Sequence, residues 1–467
     1  MKMPQIGVLI RRLAYSCVIV LCANLPMFFG LLERQYSMAV PVWHRWLIAL
    51  LCAAAAFRIL LRPQREGRPS RALSRLSNGC ELLYIFLIST TATAIFQCYM
   101  ALWTWRRLLT WEGMGSWKMA AYWFLGLLLA IIWETIVFWC GMLRLYTTSV
   151  QLGIKHRVLG VLCAWIPFLN LYYLLKLIRI AEVEVELETE KLAVDAARAQ
   201  SEICKTKYPI LLVHGVFFRD FRYLNYWGRI PTALKGNGAV IYYGSQQSAA
   251  SVEECGAELA KRIRSIVEET GCEKVNVIAH SKGGLDTRAA ISHFGAAACV
   301  ASLTTINTPH QGCIFAEYLL GKVPKKARFS LANTYNRTLK KLGDHSPDFL
   351  GAVEDLTAAA CRERNKLTPD APGVFYQSVM SYCRRAKSGR FPLNVSYPLV
   401  KHFDGKNDGL VSVESARWGE GFTLLEPPGG RGISHGDMID LNRENISGFD
   451  VREFYVSLVA DLKNRGY

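Results

Sequence analysis

The chain has 467 residues, more than one hydrophobic core usually serves, so at least two structural units are expected. It carries 55 Lys and Arg against 38 Asp and Glu, a formal charge of +17, and the excess is uneven: residues 1–180 hold 19 basic and five acidic side chains, residues 206–467 hold 33 and 26. Most of the basic excess therefore sits beside long apolar runs, which points to anionic lipid and away from nucleic acid as its partner.

A helix needs about 20 apolar residues to cross ~30 Å of hydrocarbon. Five runs qualify in the first 180 residues: Leu13–Leu32, Ala39–Leu61, Leu82–Trp103, Met119–Gly141 and Val158–Ile178. A cleaved leader would account for the first alone, so all five are expected as retained spans. Between the second and third lie Arg58, Arg62, Arg65, Arg68, Arg71 and Arg75 against Glu66, and Lys2, Arg11 and Arg12 precede the first. The excess of positive charge on cytoplasmic loops puts those segments inside. With five spans the chain would emerge on the extracytoplasmic side. Glu134 is the one acid well inside a span; such a group is often functional, but it reads more simply as a side chain that snorkels, stays protonated or bonds a neighbouring helix.

Residues 181–205 alternate acid with apolar residues and then become Ala-rich, which predicts a helical stalk or linker. From residue 206 the pattern changes. PILLVHG, GAVIYYG (Gly238–Gly244), KVNVIAHS (Lys274–Ser281) and VASLTTINTP (Val300–Pro309) read as short buried strands. Helical patterns lie between them, over Cys255–Glu269 and Gly283–Ile291. Alternating strands and helices predict an α/β fold, a mostly parallel sheet with helices on both faces. The expected domains are thus a transmembrane region (1–180), a stalk (181–205) and a catalytic domain (206–467).

Ala279-His280-Ser281-Lys282-Gly283 follows an apolar strand and opens a helix, the context of a nucleophile elbow. A serine hydroxyl needs a base, and the base needs a carboxylate to orient it. In chain order Ser, acid, His, only His435 in GISHGDMID follows an acid. His214, His280, His293, His310, His345 and His402 fail on position. The acid lies in HFDGKNDGLVS, after the strand-like run Tyr397–Phe403, as Asp408 or Asp404. The oxyanion hole should use the backbone amides of Lys282, directly after the serine, and of Val216, in the loop after the first strand. Fourteen cysteines show no CxxC or metal-type spacing, so they imply no cofactor.

KYPILLVHGVF, AHSKGGLD, INTPHQG and DGKNDGLVS with SHGDMID resemble the bacterial true lipases, the triacylglycerol lipase family of the α/β-hydrolase fold, over about Lys207 to Asp440. The resemblance implies a Ser281, Asp408, His435 triad, a lipid ester as substrate, and a lid within Cys313–Pro372. The amphipathic stretch Phe349–Asn365 would be either that lid or an ordinary surface helix. Many such lipases hold a structural calcium with two aspartates. Asp437 matches one of them, but no acid stands where the other should be, which speaks against the ion. The expected activity is hydrolysis of lipid esters at a membrane. An acyltransferase of the same chemistry and a non-catalytic binding domain are the alternatives. No protein partner is inferable.

Overall fold

The structure is a computed structural model that describes residues 6–35, 40–61, 70–109, 114–216, 226–322, 347–426 and 429–467, with 324, 326, 332, 333, 336, 337 and 340. It divides into two compact units, Met1–Ala193 and Val194–Tyr467.

The first unit is helical: α1 (Ile6–Gln35), α2 (Val42–Leu60), α3 (Arg71–Leu109), α4 (Met114–Thr148), α5 (Gly153–Cys163) and α6 (Leu169–Arg198, which runs on into the second unit). Four helices, α1 to α4, are long and apolar enough to cross a membrane. Leu50, Phe124, Ile132 and other large apolar side chains stand exposed on them, as a face meeting lipid requires.

The expected fifth span does not form. Val158–Ile178 is divided between α5 and α6 by a turn at residues 164–168. Pro167 has no amide hydrogen to continue the ladder, and Phe168 takes a left-handed φ of 63°. At 1.5 Å per residue the 11-residue α5 reaches about 16 Å, half the hydrocarbon. The chain then doubles back. Glu184 on α6 accepts from the amide of Val150 (2.9 Å) and the hydroxyl of Ser149 (2.5 Å), just past the end of α4. Glu182 accepts from Tyr84 of α3 (3.0 Å) and pairs with Arg12 of α1 (3.5 Å). Arg12 also pairs with Glu81 (3.1 Å), and Arg144 donates to the carbonyl of Leu60 at the end of α2 (2.5 Å). The start of α1, the end of α2, the start of α3, the end of α4 and the middle of α6 therefore share one end of the bundle. At the opposite end Arg45, opening α2, meets Glu33 and Tyr122. The Arg62–Arg68 segment used to orient the chain lies outside the described residues.

The second unit is built on six parallel strands: β1 (Ile210–Val213), β2 (Ile241–Tyr243), β3 (Val275–His280), β4 (Val300–Ile306), β5 (Phe375–Met380) and β6 (Gly421–Leu424), in the order β2-β1-β3-β4-β5-β6. Its helices are α7 (Ile230–Gly236), α8 (Val252–Thr270), α9 (Lys282–Ser292), α10 (Ile314–Lys322), α11 (Phe349–Glu354), α12 (Ala358–Leu367), α13 (Leu393–Asp404) and α14 (Val451–Asn464). The continuous apolar run of β1 is explained by cover on both faces. Ile210 and Leu212 pack with Trp227, Tyr455 and Val459, whereas Leu211 and Val213 pack with Leu259, Ile263 and Ala290. The chain order reverses at β1, with β2 on one side and β3 on the other. Such a switch point opens a crevice at the carboxyl ends of the strands.

Two local expectations need correction. Tyr397–Phe403 is not a strand but the core of α13, which buries Tyr397 and Val400 three residues apart, a helical spacing. Phe349–Asn365 is not one helix but two short surface helices that meet at Asp355–Thr357: Asp348 caps α11 and Thr357 caps α12. Cys361 then packs with Val252, Leu285 and Ala289 of the body.

Candidate active site

Ser281 sits at the tip of β3 as the N-cap of α9, with φ 56° and ψ −132°. A non-glycine residue pays strain to hold a positive φ, and surroundings must fix it there. They do so from three sides. Its amide donates to Ile306 at the end of β4 (2.9 Å), and its carbonyl accepts from the Thr308 hydroxyl (2.8 Å) and the Gly284 amide (3.1 Å). The glycines around it have a steric reason. A Cβ at Gly283 would lie 2.4 Å from the carbonyl oxygen of His214, and one at Gly215 would lie 2.8 Å from Ser281 Cβ.

Asp408 and His435 come together. His435 Nδ1 lies 2.7 Å from Asp408 Oδ2, and the His435 amide donates to the Asp408 carbonyl (3.0 Å). The Asp408 carboxylate is fully buried and is held by four donors. The amides of Leu410 and Val411 donate to Oδ1 at 2.9 and 2.8 Å, and Asn307 Nδ2 donates to Oδ2 at 2.5 Å beside the imidazole. An acceptor-only carboxylate makes Nδ1 the protonated nitrogen and leaves Nε2 with its lone pair. The rival acid, Asp404, is elsewhere: it ends α13 and accepts from the amides of Ile314 and Phe315 at the start of α10.

Two ion pairs fix the segment that carries His435. Asp437 accepts from Arg431 (2.9 Å) and from the Ser434 amide and hydroxyl (2.8 and 2.7 Å). Asp440 accepts from Arg229 Nε and Nη2 (2.8 and 2.9 Å). Asp437 does not fit the calcium site the resemblance suggested. A guanidinium already neutralises it, whereas calcium takes six to eight oxygens. Among the described residues no cluster of three His, Cys, Asp or Glu could hold a metal.

Val216 follows Gly215 in the bend after β1, and Lys282 is the first residue of α9. The first amides of a helix have no partner within it, so the Lys282 N–H is available to a developing oxyanion. The Lys282 side chain runs into the protein and pairs with Asp286 at 2.6 Å. Burial is the largest influence and opposes the ammonium, but the charge of Asp286, its hydrogen bond and the neighbouring Cys255 and Asp355 together move the Lys282 pKa up.

Sequence reasoning missed how the β1 loop is held. The Gly215 amide donates to the Tyr226 hydroxyl (3.0 Å), whose oxygen is also hydrogen-bonded to His280 Nδ1 at 2.7 Å. The His280 ring packs 4.4 Å from that of His435. Burial, and then the neighbouring His435, push the His280 pKa well below the ordinary imidazole value, so it stays neutral. The pattern marked His280 only as a neighbour of the serine; Tyr226 carried no motif, and Asn307, within INTPHQG, was given no role. His214 serves its own loop, with ring nitrogens 2.8 and 3.1 Å from the carbonyls of Gly215 and Gln246. His310 is buried against Trp418 and bonded to Thr305, and His293 faces Glu253. His402 is exposed on α13, and His345 lies outside the described residues.

Residues 219–334, which include Ser281, match the family described as "Putative serine esterase (DUF676)". A triacylglycerol lipase of Vibrio cholerae is 36% identical over 246 residues, 48% of this chain and 78% of that protein. One from Burkholderia plantarii is 31% identical over 190 residues, 38% of this chain and 52% of that protein. The chain spans about half the length of the Burkholderia plantarii and Pseudarthrobacter phenanthrenivorans lipases that it matches. Among solved structures, the mature form of a Bacillus licheniformis lipase aligns at TM-score 0.41 and 22% identity, covering 54% of this chain and 92% of that one. On its likeness to the Vibrio cholerae lipase, the chain belongs to the lipase family of α/β-hydrolases.

Proposed function

We propose that the protein is a membrane-anchored serine hydrolase that cleaves the carboxylic esters of lipids. Ser281 Oγ attacks the ester carbonyl while His435 Nε2 takes its proton. Asp408 keeps the imidazole in the right tautomer and stabilises its charged form. The amides of Lys282 and Val216 bind the oxyanion, and His435 then protonates the leaving alcohol. Water, activated by the same imidazole, releases the fatty acid from the acyl-enzyme. The observation that carries this reading is the buried Asp408–His435 pair at 2.7 Å, in a unit where a left-handed serine stands at the step from β3 into α9 of an α/β-hydrolase sheet.

The test is hydrolysis of p-nitrophenyl esters of increasing chain length by the full chain in detergent, with Ser281→Ala beside it. Turnover rising with chain length and lost in the variant supports a lipase. Full activity in Ser281→Ala would remove the elbow assignment. Acyl transfer to added glycerol in preference to water would support the acyltransferase.

The hydrolase unit belongs, in this reading, on the cytoplasmic side, opposite to the five-span expectation. Four crossings and a half-depth α5–α6 hairpin return the chain to the end of the bundle where α1 begins, the Arg-rich end. The seven cysteines after residue 200 are free thiols, as a reducing compartment keeps them.

A further inference from the structure

Glu134 lies near the middle of α4 and is buried, with only 8% of its surface exposed. Its two oxygens are treated differently. Oε2 accepts from the hydroxyls of Ser89 (2.9 Å) and Thr90 (2.8 Å) on α3. Oε1 is buried and meets no donor at normal hydrogen-bond geometry among the described residues, with only the Thr93 hydroxyl as a further, more distant group facing the carboxyl. A carboxyl that only joined two helices would be accounted for by Oε2. An unpaired oxygen away from water is unfavourable and calls for a donor or acceptor from outside the chain.

The space for one is present. Glu134 lines a cavity of about 540 Å³ between α3, α4 and the α5–α6 hairpin. That volume falls within the ~300–1,000 Å³ of small-molecule sites. Phe86, Phe138 and Leu174 are among its apolar walls, and no Lys or Arg lines it. Ile131, Trp139 and Leu171 also line it and are about half exposed, so the cavity opens sideways through apolar residues. A ligand would enter from the hydrocarbon rather than from water.

We propose that this cavity is a lipid-binding site separate from the catalytic one, and that its ligand is a neutral lipid with a free hydroxyl, of the monoacylglycerol or diacylglycerol kind. A hydroxyl both donates and accepts, so it satisfies Oε1 whether the carboxyl is ionised or protonated. The acyl chain fills the apolar part of the cavity. The chemistry is that of a lipase substrate or product, but the site depends on the first unit alone.

The test uses the full chain in nanodiscs and a non-hydrolysable 1-O-alkylglycerol ether carrying a diazirine and an alkyne. Peptide mapping after photolysis should place label on α3, α4 and the residue 160–174 hairpin. Unlabelled alkylglycerol should compete at least ten times better than its di-O-methyl derivative, which keeps the chain and loses the donors. Glu134→Leu should lower labelling of these peptides about tenfold and leave ester hydrolysis unchanged. Ala164→Trp fills the cavity without touching a polar contact, should lower labelling as much, and decides the matter if Glu134→Leu fails to fold. Equal competition by the methylated compound, or labelling unaltered in Ala164→Trp, would overturn the proposal. Hydrolysis is read separately, so loss of the catalytic reading would leave this result standing.

Discussion

The Asp408 carboxylate has no spare acceptor capacity for a misplaced donor. An Asp408→Asn change would turn an N–H₂ either onto His435 Nδ1 and Asn307 Nδ2 or onto the amides of Leu410 and Val411. In the first case the imidazole must put its proton on Nε2, where it cannot act as a base. We expect kcat for ester hydrolysis to fall about 10³- to 10⁴-fold with little change in KM, the pattern of a wrong tautomer. Steady-state kinetics on a p-nitrophenyl ester check this. His310 supports a different kind of expectation. Burial, and then the charge of Arg288, push its pKa well below the ordinary 6.5. A base with a depressed folded pKa contributes stability that is present above 6.5 and lost as pH falls below it. The slope is about 1.4 kcal/mol per pH unit for each such group. His280 acts in the same direction. Asp286, raised to about 7 by burial against the pull of Lys282, acts in the opposite one, because its folded state holds the proton more tightly. The histidine share is therefore read as a difference. Between pH 6.5 and 5.5 the denaturation free energy of His310→Gln should fall less than that of the wild type, by about 1 kcal/mol. Parallel slopes would mean that His310 is not held neutral.

At the scale of elements, the groups proposed for catalysis lie on three separate chain segments whose junctions are clamped. The segment bearing His435 is tied down by Arg431 to Asp437 and by Arg229, at the start of α7, to Asp440. The Asp440 side chain is 1% exposed, so Arg229→Ala would leave a buried charge unpaired. We expect a loss of about 3–5 kcal/mol in unfolding free energy. Gly283→Ala should cost about 1–3 kcal/mol, since the new methyl presses on the His214 carbonyl where α9 meets β1. Both are checked by chemical denaturation of the full chain. Strong local signals made β1 to β4, the strand-to-helix step at Ser281 and the pairing of Asp408 with His435 legible in the sequence. Each of those strands is a short apolar run ending in a glycine or turn, and Ser281 sits at the one strand-to-helix step flanked by small residues. The later strands were not legible. β5, FYQSVM, mixes polar residues into its register, and β6 is four residues long and only partly buried. Conversely, α13 carries Val395, Tyr397, Leu399 and Val400 close together and so imitates a strand. Its helical spacing shows only in Tyr397 and Val400, the pair that the fold buries.

For the whole molecule, a turn at Pro167 and Phe168 together with the acids Glu182 and Glu184 separates the two possible topologies. The Val158–Ile178 run has the length and hydropathy of a span, and a count of apolar residues passes over Pro167. With that proline and a left-handed Phe168 the run becomes a hairpin whose exposed tip, Trp165 to Phe168, is suited to hydrocarbon. Glu182 and Glu184 then have a role beyond the stalk or linker that the sequence pattern predicts there. They bind the returning chain to Arg12, Tyr84 and the end of α4. A continuous fifth span would carry these acids to the other end of the bundle, about 30 Å from Arg12. The two arrangements give opposite results with reporters placed after Tyr467. If the hairpin reading holds, a green fluorescent protein fused there will fluoresce in a bacterial host, and an alkaline phosphatase fused at the same position will stay inactive. An active phosphatase with a dark fluorescent fusion would require five crossings and an extracytoplasmic hydrolase. The same fusions on a Pro167→Leu, Phe168→Leu chain test the cause. Because Glu182 and Glu184 hold the return even when the turn is weakened, the hydrolase should keep its side in that variant. It should lose it only when both acids are also replaced by leucine.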